Sequence, residues 1–241
     1  MTNFPERKIR LLSPLSSTYA RDRMLIYWMN MTDTAEKIMQ DNLSHHKPHC
    51  VGDWAAFVLV RISRVIADVF FAKRYGPRAV VLETVAAVPG AVGALFIHLK
   101  CLRRIRDDHG WIRQLQEEAE NERMHLMVYV LLARPSFLER LLIIIAQGIF
   151  CFGYALVYFI SPRTGHRVVG YLEEEAVKSY THFLEEIESG RHANPEAPQL
   201  AIGYWKLEPD ARLREVVIAT RNDEIHHRDA NHKLAEVINT L

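Results

Sequence analysis

Cysteine is scarce: Cys50, Cys101 and Cys151 are the only 3 in 241 residues. They are too few and too scattered for a disulfide framework or a cysteine-based zinc site, so a reducing compartment is expected. An excess of one charge is also missing. Lys+Arg number 30 against 29 Asp+Glu, for a net charge of +1, and nothing here favours tracking a phosphate backbone. Nucleic acid is excluded as the expected partner. Low-complexity tracts, solenoid-length repeats and strand signals are absent or few, which argues against a disordered, repeat or β-rich chain. The first two dozen residues hold no apolar stretch of the secretory kind. Arg7, Arg10 and Arg21 among serines resemble a transit peptide, but Glu6 and the short run point to a processed or bacterial N-terminus. The expectation is an extension at 1–24 before a single domain at 25–241.

Apolar residues in helical register are abundant. Hydrophobic residues make up 49% and charged residues 24%, enough for a sizeable core. Helical periodicity runs through 53–73, 78–104, 110–134, 136–161, 165–189 and 209–239. Helix breakers separate these runs at Gly76-Pro77, Asp107 to Gly110, Arg134-Pro135, Ser161-Pro162 and from Ser189 to Pro209. The fold class is therefore all-α, with six long helices.

Two helices differ in their surfaces. Between Trp54 and Phe71, the residues Arg61, Arg64 and Asp68 form one polar stripe on an apolar cylinder. From Leu141 to Ile160 only Gln147 is strongly polar, with Arg140 and Arg163 at the ends. Both read as membrane-contacting helices. The second is long enough to span a bilayer, to fill a core or to lie flat in one leaflet, and length does not choose among these.

The run AVVLETVAAVPGAVGALFIHL from Ala79 holds Glu83 as its one ionisable residue before His98. A carboxylate buried there needs a cation or a proton. Further along, Leu115, Ala119, Glu122, Leu126 and Tyr129 share a helical stripe, with His125 three residues after Glu122 on the same face. The last helix repeats this Glu-x-x-His with Glu224 and His227, while His226 is one step off the stripe. In the fifth helix, Val169, Leu172, Ala176, Tyr180 and Phe183 put Glu173 inward and leave Glu174 and Glu175 facing solvent or supporting the site.

Glu, Glu-x-x-His, a crossover, Glu and Glu-x-x-His again is the ligand order of carboxylate-bridged di-metal bundles. Oxygen and imidazole donors suit iron or manganese, and two adjacent redox metals can activate dioxygen, which zinc cannot. Tyr180, two turns after Glu173 on the same face, is positioned for proton and electron exchange beside such metals.

The segments LETVAAVPG at 82–90, NERMHL at 121–126, GYLEEEA at 170–176 and RNDEIHHRDANH at 221–232 resemble the alternative oxidases, which are di-iron ubiquinol oxidases. The resemblance runs from about Lys47 to the end. It implies a ferritin-like four-helix bundle with two apolar membrane-binding helices, and two iron ions held by Glu83, Glu122, His125, Glu173, Glu224 and His227. It further implies Tyr180 as a redox tyrosine, with Asn121, Asp223, Tyr204 and Trp205 orienting the ligands. Arg64, Asp68, Arg78, Leu82, His166, Glu175 and Ala176 fall on positions similar to the family's quinol pocket.

The implied activity is membrane-bound oxidation of ubiquinol with reduction of dioxygen to water and no proton pumping. The implied setting is a homodimer on one leaflet, at the cytoplasmic face of a bacterial inner membrane or the matrix face of the mitochondrial one. Plant members carry a regulatory cysteine where this chain has Pro77, and a threonine where it has Ser179. The alternative is a di-iron oxygenase or hydroxylase acting on a lipid-soluble substrate.

Overall fold

The computed structural model describes residues 44–71 and 75–239, so the boundary expected after residue 24 lies outside the described residues. The named elements are all helices: α1 (Val51–Phe71), α2 (Tyr75–Arg104), α3 (Trp111–Ala133), α4 (Phe137–Ile160), α5 (Pro162–Glu188), α6 (Gln199–Trp205) and α7 (Leu213–Val237). Six are long and match the apolar-periodic runs. The short α6 falls inside the Ser189–Pro209 stretch that its breakers mark as loop.

Local chemistry fixes the helix ends. Ser136 and Glu139 form a reciprocal capping box that starts α4. Ser161 ends α4 and caps α5, where Pro162 occupies the first turn, so α5 begins before its first apolar-periodic residue. At the other end, Leu213 N donates to Pro195 O at 2.8 Å and Ala197 N to Ala211 O at 2.9 Å. These bonds hold residues 209–212 outside the helix, so α7 starts later than the periodicity suggests.

Helices α2 and α3 pair, α5 and α7 pair, and the two pairs form the four-helix core. Helix α4 packs on α2 and α5, and α1 packs on α5 and α2. A Cβ at Gly90 would come within 2.6 Å of the Leu115 carbonyl oxygen, so glycine is what lets α2 and α3 approach this closely. On α1, the buried Asp53 pairs with Arg163 at 2.8 Å and Arg167 at 3.2 Å, tying that helix to α5. Burial works to raise the Asp53 carboxyl, but Arg163, the His49 N–H and Arg167 outweigh it and hold its pKa at about 2.

Two apolar clusters fill the bundle at separate levels. One holds Val80, Tyr129, Tyr180, Phe183, Leu213 and Val217. The other holds Ala94, Ile97, Leu115, Leu234 and Ile238. On α2, α3 and α7 the stretch between these levels carries Glu83, the Glu122–His125 pair and the Glu224–His227 pair. A polar layer therefore sits sealed between two apolar ones.

The outside of the molecule carries the opposite pattern. Trp54, Val58, Ile62, Ile66 and Val69 of α1 are exposed, as are Leu141, Ile144, Ile149, Phe152, Leu156 and Phe159 of α4. Arg78–Arg104 and Phe137–Ile160 are both long and apolar enough to cross a membrane, but the first is 50% buried and the second only 18%. Helix α2 is thus a core helix, and α4 carries the outward apolar face.

Candidate metal centre

Four helices contribute to the polar layer. Glu83, Glu122, His125 and Glu224 offer one ligand atom each, all within 4.8 Å of one another. His125 Nδ1 lies 3.2 Å from Glu83, 3.3 Å from Glu224 and 3.5 Å from Glu122. His227 Nδ1 lies 2.6 Å from Glu122 and 3.8 Å from Glu224. Glu173 joins from α5 as a buried carboxyl that feels the charges of Glu224 and Glu122. The residues singled out by helical periodicity thus meet in one buried place, on four different helices.

The layer's electrostatics call for a cation. Burial, reinforced by Glu224 and Glu122, pushes Glu83 and Glu173 well above the usual carboxyl range. Burial would lower both histidines, yet Glu122 outweighs it and drives His125 and His227 well above the imidazole range. Both oxygens of Glu122, Oε2 of Glu224 and Nδ1 of His227 are buried without a hydrogen-bond partner. Glu122 and His227 approach to 2.6 Å without forming a hydrogen bond. Buried lone pairs that converge but stay unsatisfied are what metal ions would satisfy. The donor set fits a carboxylate-bridged metal pair.

Supporting contacts orient His125. Its Nε2 faces Asp223 Oδ2 at 3.1 Å, and the same oxygen accepts from Trp205 Nε1 at 2.8 Å and Asn121 Nδ2 at 3.0 Å. Asn121 Nδ2 also donates to the Tyr204 hydroxyl at 2.8 Å. With an N–H on Nε2, the lone pair of Nδ1 points into the layer. Asn121, Asp223, Tyr204 and Trp205 therefore form one connected group, and α6 is the element that carries its two aromatic members.

Tyr180 is buried beneath the layer, and its hydroxyl donates to Glu83 Oε1. Its ring stacks on Tyr129 at 5.7 Å. Burial, with Glu83 next, raises the phenol well above its ordinary range, so its proton is firmly held.

A second polar group lies where α1, α2 and α5 meet. Arg64 Nε donates to Asp68 at 2.8 Å, and its Nη1 reaches Glu175 at 3.0 Å and Ser179 at 3.1 Å. Arg78, almost fully buried, pairs with Asp68 at 2.6 Å. Leu82 and Ala176 are half-buried on α2 and α5. His166 does not share these partners: its fully buried ring sits between the Tyr158 hydroxyl and Asn231 Oδ1, each at 2.9 Å.

Two residues depart from the reading by periodicity. Glu174 is buried rather than solvent-facing, and binds His45 at 2.6 Å, His46 N at 2.8 Å and His232 at 3.0 Å. It ties the segment before α1 to α5 and α7. Glu118 sits one turn before Glu122, inside the run EEAENE that composition assigns to a solvated face. It is buried, and its two oxygens accept from Asn231 Nδ2 at 2.8 and 3.0 Å. Burial raises Glu118 to a pKa of about 7, next to His227. The signal that would have found it is its i, i+4 spacing from Glu122.

Comparison with known proteins agrees with this geometry. The family model for alternative oxidase matches residues 33–236. A protein named mitochondrial ubiquinol oxidase 2 from Arabidopsis thaliana is 51% identical over 205 residues, covering 83% of this chain and 58% of that protein. Mitochondrial ubiquinol oxidase from Batrachochytrium dendrobatidis is 52% identical over 207 residues, covering 86% and 66%. Mitochondrial alternative oxidase 3 from Glycine max is 52% identical over 197 residues, covering 82% and 60%. The chain spans 58–66% of the length of these relatives. With its buried Glu and His layer on four helices, the chain belongs to the alternative oxidase family.

Proposed function

We propose that this protein is a ubiquinol oxidase that reduces dioxygen to water at a di-iron centre. The observation that carries the reading is the sealed layer in which Glu83, Glu122, His125 and Glu224 converge, flanked by Glu173 and His227. When bound there, a pair of iron ions supplies the redox chemistry for dioxygen reduction. Asp223 fixes the tautomer of His125. Tyr180 donates its hydroxyl hydrogen bond to Glu83 and is the residue we assign to proton and electron exchange within the layer.

Quinol reaches the site from the lipid. Arg64, Asp68, Arg78 and Glu175 supply charged donors and acceptors beside the exposed apolar face of α1, and Leu82 and Ala176 continue the path inward. A quinol headgroup needs such polar contacts while its isoprenoid tail stays in hydrocarbon. His166, the remaining residue of the pocket expected from resemblance, bonds to Tyr158 and Asn231 and to none of the partners of Arg64. The membrane contact we infer is with one leaflet. Ile143 packs near the start of α4 and Tyr158 near its end, so α4 lies along the bundle and cannot cross a bilayer without drawing the polar layer in with it.

Each dioxygen takes the electrons and protons of a pair of quinols. Both arrive together from the quinol, so the reaction moves no charge across the membrane. The names of the relatives, which are mitochondrial, support the mitochondrial setting, and the exposed Leu95, Leu102 and Leu131 of α2 and α3 support a homodimer. The test is oxygen uptake by the iron-loaded full chain on added ubiquinol, using labelled dioxygen. We expect quinol-dependent uptake with the label recovered in water. No uptake, or label in an organic product, overturns the reading.

A further inference from the structure

The C-terminal end of α2, the end of α4 and Ile238 after α7 line a cavity of about 510 Å³ that belongs neither to the metal layer nor to the Arg64 group. Phe96, Leu99 and Phe159 form its apolar wall, and Lys100, Arg103 and Arg104 its basic edge. A helix C-terminus favours cations, but that alone does not explain an apolar hollow beside them. Among the described residues none of the three cations forms an ion pair. The nearest carboxylates in sequence are engaged elsewhere: Asp107 accepts from His109 N at 3.1 Å and Asp108 from Ile112 N at 2.8 Å. Lys100 donates to the Ile238 carbonyl at 3.3 Å. Partial burial, and after it the charge of Arg104, lowers its ammonium.

The cavity also opens onto the exposed face of α4. Phe159 is 73% exposed, and Leu156, Phe152 and Ile160 continue the apolar surface beside it. Concave apolar wall, basic edge and lipid-facing surface thus adjoin.

We propose that this cavity binds one anionic phospholipid, with its phosphodiester on Lys100, Arg103 and Arg104 and an acyl chain against Phe96, Leu99 and Phe159. The site rests on the reading that α4 lies in a leaflet, and the test separates the two. Iron-loaded full chain is floated with phosphatidylcholine vesicles and with vesicles that also contain phosphatidylglycerol. Flotation on the neutral vesicles supports the leaflet reading. The lipid site predicts about five-fold or tighter binding to the anionic ones. Lys100→Glu/Arg104→Glu loses that preference, Arg104→Gln loses part of it, and Lys206→Glu on another surface keeps it.

No flotation on either vesicle overturns the leaflet reading and this site with it. Equal binding to both vesicles, or a preference that survives in the double variant with its helical circular dichroism intact, overturns the lipid site alone. Competition by soluble glycerophosphoglycerol as strong as by the lipid also overturns it, leaving an anion site only.

Discussion

Between the levels of Val80 and Ala94 the bundle interior holds Glu83, Glu122, His125, Glu173, Glu224 and His227. The outer face of α4 holds Ile144, Ile149, Phe152 and Phe159 in the open. One region buries charge and the other exposes hydrocarbon. Both arrangements cost stability in water, since buried ionisable groups lose hydration and exposed apolar area forgoes burial. Each cost disappears with the right neighbour: metal ions for the layer, hydrocarbon for α4. A contrasting pair of ion groups makes the same point. Asp53 with Arg163 and Arg167 is a closed, buried structural tie, whereas Asp68 between Arg64 and Arg78 keeps about 46% of its side chain exposed.

The largest expected effect breaks the inner region. Glu122→Ala removes a carboxylate that approaches both histidines, at 3.5 Å from His125 and 2.6 Å from His227, and is expected to lower oxygen uptake on quinol by about a hundredfold or more, with iron content falling in parallel. Near-normal turnover would refute its assignment. Tyr180→Phe keeps the ring stacked on Tyr129 and removes only the hydroxyl on Glu83. We expect turnover to fall about tenfold or more while bound iron is unchanged, the pattern of a lost proton donor rather than a lost ligand.

The outer region is sharpened next. Ile149→Glu/Phe152→Glu places charge on the exposed α4 face, and each buried charge there would cost about 2.5–3.5 kcal/mol in hydrocarbon. Vesicle flotation should be lost while the melting temperature in detergent-free buffer stays within a few degrees of the parent.

The smallest effect concerns the structural tie. Asp53→Asn should destabilise the fold at neutral pH by about 2 kcal/mol, matching a carboxyl whose folded pKa is about 2 against an ordinary 3.8. A depressed carboxyl stabilises above its unfolded pKa, so this contribution is present at neutral pH. It is lost as pH falls through 3.8 towards 2, where the parent and Asp53→Asn curves should converge. Urea unfolding at neutral and acid pH checks both limbs.

Much of the inner region was legible before any coordinates. Glu83 stands out because nothing else ionisable shares its run, and the Glu-x-x-His pairs fall on stripes whose apolar members enter the core. Periodicity served less well where charges are adjacent. In Glu173-Glu174-Glu175 it chose one inward residue, yet Glu174 is buried too, because the segment at His45 and His46 covers it from outside the bundle. Such a cover is a long-range contact with no trace in a helical stripe. Glu118 was hidden by its acidic neighbours, and its partner Asn231 lies 113 residues away. Tyr204 and Trp205 sit on a seven-residue helix too short for a periodic signal, so resemblance alone pointed to them. His166 was likewise pointed to by resemblance alone, and its contacts are with Tyr158 and Asn231 rather than with the Arg64 group.

The central claim is that the sealed layer holds a pair of irons. Iron quantification on the purified full chain, beside Glu83→Ala and Glu224→Ala measured at the same loading, tests it most directly. The account predicts close to two irons per parent chain and a loss of more than half of them in each variant. Iron that stays at the parent level in both variants would contradict it.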